Sequence, residues 1–276
     1  MKTFGFRLAA IDLDDTLLGP DKQISAANRL AIQKLQGYGV QIVLASGRKH
    51  ENMAQFLAVL GGTGYLISAQ GALAKHAETG EIVYRAYVPP ALAQTTILTG
   101  LSRQMTVLAY HDRAIFAQGN PAFVDLYARL SSDRAEVRDL RTLAGESFQK
   151  ILWLTSAERV EQMHAQVREE FAGRLDLVVT EPEFMEFTMP GVNKASALAA
   201  LSKRLGIARE QTLAFGDGNN DVAMLEWAGL GVAMDHAKEA AKRAADRIVA
   251  SGDPATSFAR GVAMVLAEQI GEHAAA

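Results

Sequence analysis

The stretch Arg7-Leu8-Ala9-Ala10-Ile11-Asp12-Leu13-Asp14-Asp15-Thr16-Leu17-Leu18 sets an apolar run directly against three acids. Residues 8–11 are apolar enough for a buried strand, and such a strand tolerates no unpaired carboxylate. The acids therefore belong just past the strand's carboxyl end, where open α/β sheets bind their ligands. Asp12 and Asp14 alternate with Leu13, so extended backbone turns both carboxylates to one side. Two carboxylates held together repel unless a cation sits between them or one keeps its proton. Both escapes point to magnesium and to acid–base chemistry.

Three later stretches belong with this one. They are Leu44-Ala45-Ser46-Gly47-Arg48, Gly191-Val192-Asn193-Lys194, and Gly216-Asp217-Gly218-Asn219-Asn220-Asp221 with Met224-Leu225 behind it. In order and spacing the four resemble the motifs of the haloacid dehalogenase superfamily, whose first is D-x-D-x-T. The last block is most similar to the Cof-like phosphatases. Four motifs in order are specific where one would not be, and they span nearly the whole chain. The resemblance implies an α/β fold: a Rossmann-like parallel core, with an α+β cap inserted after its third strand.

The bulk numbers set bounds. A chain of 276 residues suits two domains or one large one, and 49% hydrophobic residues can bury a substantial core. A net charge of −3 gives no general pull toward nucleic acid or an anionic membrane. There is no cysteine, which excludes disulfides, thiolate metal sites and cysteine nucleophiles. Met1-Lys2-Thr3-Phe4-Gly5 does not read as a signal peptide, and no apolar run nears the roughly 18–20 residues that span a bilayer. The expectation is a cytoplasmic protein with a small-molecule partner and an open oligomeric state.

Along the chain, Ser25 can cap a helix with Ala27, Ala31 and Leu35 on one face, stopped by Gly37 and Gly39. Strands are predicted at 40–45 and 65–68, with a helix through Met53 and Leu60 between them, closed by Gly61-Gly62. A hairpin is predicted at 72–75 and 81–84. This β-α-β-α-β order marks a parallel doubly wound sheet. From Pro89-Pro90 to about Glu186 the pattern changes to helices mixed with strands that read as antiparallel, at 106–110, 114–118, 151–154 and 175–180. A charged helix is predicted over 157–171. One face of that sheet should carry helices and the other turn toward the core. The parallel pattern then resumes, with Asn193 capping a helix over 194–205, strands at 212–215, 230–233 and 247–249, and a closing helix over 256–272. The expected division is 1–84 with 187–276 as core, and 85–186 as cap.

The residues suggest roles. A carboxylate such as Asp12 can attack phosphorus, which splits one hard step into two. The resemblance implies that the first aspartate does so, forming an aspartyl phosphate. Asp14 is the expected general acid and base, and as an acid it needs a pKa above the usual ~3.9. In the family the magnesium meets the backbone carbonyl at this position. Thr16 shapes the loop, and Asp15 faces solvent or caps the turn. Ser46 and Gly47 offer a hydroxyl and free N–H groups to a phosphate oxygen. Arg48 either reaches substrate or pairs with acids. Lys194 stands at a helix start, where a cation is disfavoured, so its charge is needed for the phosphoryl group and for Asp12. The family often has glycine after this lysine, whereas Ala195 stands here.

Asp217 and Asp221 sit in a glycine-rich turn, and oxygen-only ligands suit Mg²⁺ rather than zinc. Asp217 is the expected direct ligand; Asp221 binds through water or orients Lys194. Asn220 is a candidate donor to phosphate. The turn lacks the twelfth-position Glu of an EF-hand. Two departures from the family, Gln70-Gly71 and Asp235-His236, border the expected cleft. The six histidines show no tight ligand spacing and are expected mostly at the surface. Cap candidates for specificity are His111, Arg113, Trp153 and Glu183.

The function expected is a Mg²⁺-dependent phosphomonoesterase acting on a small phosphate ester such as a sugar phosphate or a phosphorylated cofactor. A phosphomutase would share the aspartyl phosphate. A sensory module phosphorylated on Asp12 would have no use for an acid at Asp14. A pseudo-enzyme would have lost one of these positions.

Overall fold

The computed structural model describes residues 4–59, 64–131 and 133–270. The first half of the core alternates β1 (Leu8–Asp12), α1 (Ala26–Gly37), β2 (Gln41–Ala45), α2 (His50–Val59) and β3 (Tyr65–Ser68), then forms the hairpin β4 (Leu73–His76) and β5 (Ile82–Arg85). Ser25 caps α1 by accepting the Asn28 N–H at 3.2 Å, as its position predicts. The expected Leu60 and Gly61-Gly62 end of the second helix lies outside the described residues.

The inserted part runs α3 (Pro90–Ser102), β6 (Thr106–Tyr110), β7 (Ile115–Gln118), α4 (Pro121–Ser131), β8 (Ala135–Val137), β9 (Lys150–Leu154), α5 (Ala157–Phe171), β10 (Asp176–Val179) and β11 (Phe184–Thr188). The core then resumes with α6 (Lys194–Leu205), β12 (Thr212–Gly216), α7 (Val222–Trp227), β13 (Leu230–Ala233), α8 (Glu239–Ala244), β14 (Arg247–Ile248) and α9 (Ser257–Ile270).

Two sheets result. The larger has the order β14-β13-β12-β1-β2-β3-β4-β5, parallel except at the β3–β4 and β4–β5 pairs. β1 is buried throughout and lies between β12 and β2. Its register sets Ile11 beside Phe215, so Asp12 and the turn after Gly216 leave the sheet at the same level. Residues some two hundred positions apart in the sequence are joined by that pairing.

The cap sheet has the order β10-β11-β9-β6-β7-β8. Its pairs are antiparallel except β7–β8, which is parallel because α4 carries the chain back over the sheet before β8. The strands expected to be antiparallel pair so, and the parallel pair involves β8, which was not expected as a strand. Alternation along β9 sends Ile151 and Trp153 to one face, where Phe171 of α5 and Ile97 of α3 pack. Leu152 and Leu154 go to the other face, with Tyr110, Phe184 and Tyr127 of α4. So helices cover one face as expected, but α4 also intrudes between the second face and the core. The sequence reading did not assign α4, β8 or β11 as separate elements.

Candidate active site

Asp12 ends β1 and is almost fully buried. Asp217 and Asp221 come from the turn after β12. Asp12, Asp217 and Asp221 each offer a carboxylate oxygen, and the three atoms lie within 4.8 Å of one another. One oxygen of Asp221 accepts the backbone N–H groups of Asp217 at 3.0 Å and Gly218 at 2.9 Å. The other accepts from Lys194 Nζ at 2.7 Å. The same ammonium donates to Asp12 at 2.5 Å. Thr16 Oγ1 donates to Asp217 at 2.7 Å, tying the loop after β1 to the loop after β12.

Lys194 is the first residue of α6 and is fully buried. Asn193 caps the helix by accepting the Ser196 N–H at 3.0 Å. The cation is tolerated at that position because two carboxylates face it. The 69–71 turn packs hard against this helix start. Gly71 has φ +95°, and a Cβ there would stand 2.1 Å from the Asn193 carbonyl oxygen, so no side chain fits.

Burial sets the electrostatics. It drives the Asp12 carboxyl well above the usual carboxylate range, and Asp221 adds to this while Lys194 opposes it. Burial, with the Asp221 charge behind it, pushes Asp217 up to about 7. Burial alone would lower the Lys194 ammonium, but Asp12 and Asp221 outweigh it and raise it. Three carboxylates facing one ammonium leave a formal charge of two negatives in a buried space.

Asp14 goes elsewhere. Its side chain accepts two hydrogen bonds from Arg48, at 2.8 and 2.7 Å, and Lys22 stands 3.3 Å away. Burial pushes its carboxyl up, but Arg48 and Lys22 outweigh that and hold it below the usual value. The expectation of a raised pKa at Asp14 is corrected by these two cations. Its side chain also stands apart from the Asp12, Asp217 and Asp221 group. Arg48, left open by the sequence, is buried and pairs with this acid. Asp15 is exposed with φ 59°, and its carbonyl oxygen lies 2.6 Å from His236 Nε2.

A cavity of about 330 Å³ opens over these residues, between core and cap. Asp12, Asp14, Ser46, Gly47, Asp217, Asn220 and Asp221 all line it, with Lys194 buried beneath Asp12. Ser46 is buried, and its Oγ accepts the Arg48 N–H at 3.2 Å. Asn220, expected to donate to phosphate, donates to Gln70 Oε1 at 2.9 Å. Gln70 thus borders the cleft as expected, and so does His236. His50, expected with the surface histidines, is buried. His273 lies outside the described residues.

The cap side of the cavity was missed. Tyr110, Tyr127, Lys150, Thr180, Phe184 and Glu186 line it. The four cap candidates from the sequence do not line it. Trp153 points to the opposite face and donates its N–H to the Thr96 carbonyl, while Arg113 and His111 pair with Glu146 outside. The missed signal was the pleat. Lys150 and Glu186 are the charged residues in the otherwise apolar runs 150–154 and 184–187, and each shares parity with the apolar residues of the core-facing side.

The residues fit a magnesium ion. Oxygen-only donors around a buried space with two uncompensated negative charges match one hard divalent cation. Asp12 and Asp217 would hold it, and Asp221 completes the acidic group.

A mostly parallel sheet carrying a buried carboxylate cluster at its strand ends, under an inserted cap, defines a capped α/β protein with a candidate metal site in the cleft between the two. The sequence profile of the haloacid dehalogenase-like hydrolases matches residues 9–264. The chain belongs to that family, in its Cof-like branch, and is a phosphatase-type hydrolase. It is 30% identical over 232 residues to an HMP-PP phosphatase of Cronobacter sakazakii, covering 84% of this chain and 85% of that one. A chloroplastic endoribonuclease YBEY of Arabidopsis thaliana is 29% identical over 255 residues, a match spanning 88% of this chain and 44% of that longer protein. A haloacid dehalogenase-like hydrolase structure from B. subtilis superposes with TM-score 0.83 at 27% identity, over 93% of this chain and 99% of that one. Among the described residues no helix is long and apolar enough to cross a membrane.

Proposed function

We propose that the protein is a Mg²⁺-dependent phosphomonoesterase acting on small phosphorylated metabolites through an aspartyl phosphate on Asp12. The observation that carries this is the shared contact of Lys194 with Asp12 and Asp221 beside the Asp217 carboxylate. Asp12 Oδ2 is left to attack phosphorus while Oδ1 is held by Lys194. The bound cation would lower the repulsion between nucleophile and phosphate. Ser46, the Gly47 N–H and Lys194 are assigned to the phosphoryl oxygens. Asn220, which lines the same cavity with its amide donating to Gln70, is assigned to the phosphoryl oxygens as well. Asp14 is the acid and base, and its backbone carbonyl, rather than its carboxylate, is assigned to the metal. For Asp14 to donate a proton, the substrate must draw Arg48 off it. The relative's activity, an HMP-PP phosphatase, supports a phosphorylated metabolite as substrate.

We assign residues 1–84 and 187–276 to the catalytic core and 85–186 to the cap, which closes over the leaving group and excludes water during the first step. Asp14 protonates the departing alkoxide and then takes a proton from the water that cleaves the aspartyl phosphate and regenerates Asp12. The test is Asp12→Asn, which should abolish p-nitrophenyl phosphate hydrolysis with the fold intact by circular dichroism. Near-normal turnover would remove the mechanism. A phosphomutase would release no inorganic phosphate without a bisphosphorylated activator, so phosphate release separates the two.

A further inference from the structure

The cap presents a buried ion pair to the cavity that the proposed chemistry does not use. Lys150 begins β9 and Glu186 lies in β11, both on the core-facing side of the cap sheet. Lys150 Nζ donates to Glu186 at 2.7 Å and sits 4.3 Å over the Tyr110 ring. Thr180 donates to the other Glu186 oxygen at 2.9 Å. Lys150 is 1% and Glu186 5% exposed. The ammonium also faces the phosphate turn. A Cβ built on Gly47 would stand 3.4 Å from Lys150 Nζ and 2.5 Å from Gln70 Nε2. The pair therefore stands on the cap wall of the cavity, facing the turn assigned to the phosphoryl group.

We infer that Lys150 and Glu186 form the specificity pair of the cap, selecting an uncharged leaving group with adjacent hydrogen-bond donors and acceptors over one carrying a second anion. This rests on the phosphatase reading above. The physical reason is charge balance. Lys150 offers a donor and Glu186 free lone pairs, but their net charge is zero. A leaving group with hydroxyl, amide or amine groups satisfies both. A second phosphoryl group would gain little from a cation already neutralised and would crowd a buried carboxylate. Of the other cavity charges, Arg48 is bound to Asp14, Lys22 stands with Asp14 and Asp15 of the core, and Glu181 of the cap is opposed by Lys238 and Lys22. Tyr110, Tyr127 and Phe184 supply the apolar wall.

The experiment compares kcat/KM for glucose 6-phosphate and glucose 1,6-bisphosphate in the wild type, Glu186→Gln and Lys150→Met, all with saturating Mg²⁺. Glu186→Gln leaves a free cation and should shift the ratio toward the bisphosphate by at least about tenfold. Lys150→Met leaves a free anion and should shift it the other way. Equal losses on both esters in both variants, or shifts of the same sign, would overturn the inference and leave a purely structural pair. If Lys150→Met does not fold, the isosteric Glu186→Gln decides alone. If the wild type hydrolyses neither ester, dissociation constants of the same two compounds carry the same ratio. A ratio that moves between variants then keeps the pair's role and a ratio that stays put removes it, while phosphate release from p-nitrophenyl phosphate decides the hydrolytic reading separately.

Discussion

The Lys194 ammonium lies 2.5 Å from Asp12, a residue 182 positions earlier, and both side chains are buried. That contact decides how the site holds its charge. Without Lys194, Asp12 and Asp221 would face each other with no cation between them. Breaking a buried pair by removing one partner costs about 3–5 kcal/mol. Lys194→Met should therefore lose about that much stability in urea melts run in EDTA, and lose hydrolysis with it. Saturating Mg²⁺ should recover part of the stability and none of the turnover. A variant as stable as the wild type in EDTA would show that the ammonium does not hold this cluster together.

Metal and pH should act on the same group. Asp217 is pushed up to about 7 in the folded chain, first by burial and then by Asp221, against an ordinary value of 3.8. Between those values the folded chain keeps a proton that the unfolded chain has released. Stability from this group is therefore present below about pH 4 and lost as pH rises through about 7. In EDTA, Asp217→Asn should be more stable than the wild type at pH 7.5, and the gain should shrink toward pH 4.5. For a chain of this size each kcal/mol moves Tm by about 2–4 °C. Added Mg²⁺ should raise the Tm of the wild type and do little for Asp217→Asn. Thermal scans across pH with and without Mg²⁺ check all three expectations. EDTA should also silence wild-type hydrolysis, and Mg²⁺ restore it.

Asp14 has the opposite sign. Arg48 and Lys22 hold it below 3.8 despite burial, so its contribution to stability is present above about pH 4 and lost as pH falls through its lowered value. As the proposed acid it is better served by a higher pKa. Arg48→Met removes a bidentate partner and should move the limb of the pH–kcat/KM profile that belongs to Asp14 upward. An unmoved limb would show that another group sets it. Asp14→Asn, run alongside, should erase the limb.

Much of this was legible from the chain, for a reason that can be stated residue by residue. Lys194 is a cation at a helix start, where local physics disfavours it, and Asp12 and Asp217 each follow directly on an apolar strand that tolerates no unpaired carboxylate. Such misplacement is visible without coordinates. The core strands were equally legible, because buried parallel strands read as unbroken apolar runs. What escaped was set by side-chain direction and tertiary partner. Asp14 was given a raised pKa because nothing in its neighbourhood of sequence announces Arg48, 34 positions on. Trp153 was a cap candidate and Lys150 was not, although the pleat sends Trp153 away from the cavity and Lys150 into it. Parity along β9, counted from its apolar residues, was the usable clue.

Asp133 ties the cap to the core and bears on closure. It is fully buried, and its Oδ2 accepts the Lys49 N–H at 3.1 Å and the Tyr127 hydroxyl at 3.3 Å, while Asn52 donates to the other oxygen. Lys49 and Asn52 lie at the start of α2 in the core; Tyr127 belongs to α4 in the cap and lines the cavity. Tyr127 and Tyr110 also share a hydrogen bond between their hydroxyls. Asp133→Ala leaves these buried donors unpaired, which costs about 1–3 kcal/mol for each group so exposed. The loss falls on the joint between core and cap rather than on Asp12 or Lys194. KM should therefore rise, about tenfold, with a smaller change in kcat, and limited proteolysis should cut faster between α2 and β9. Tyr127→Phe removes one donor and should reproduce a fraction of the effect. A fall in kcat at constant KM would place Asp133 in the chemical step instead of in cap closure.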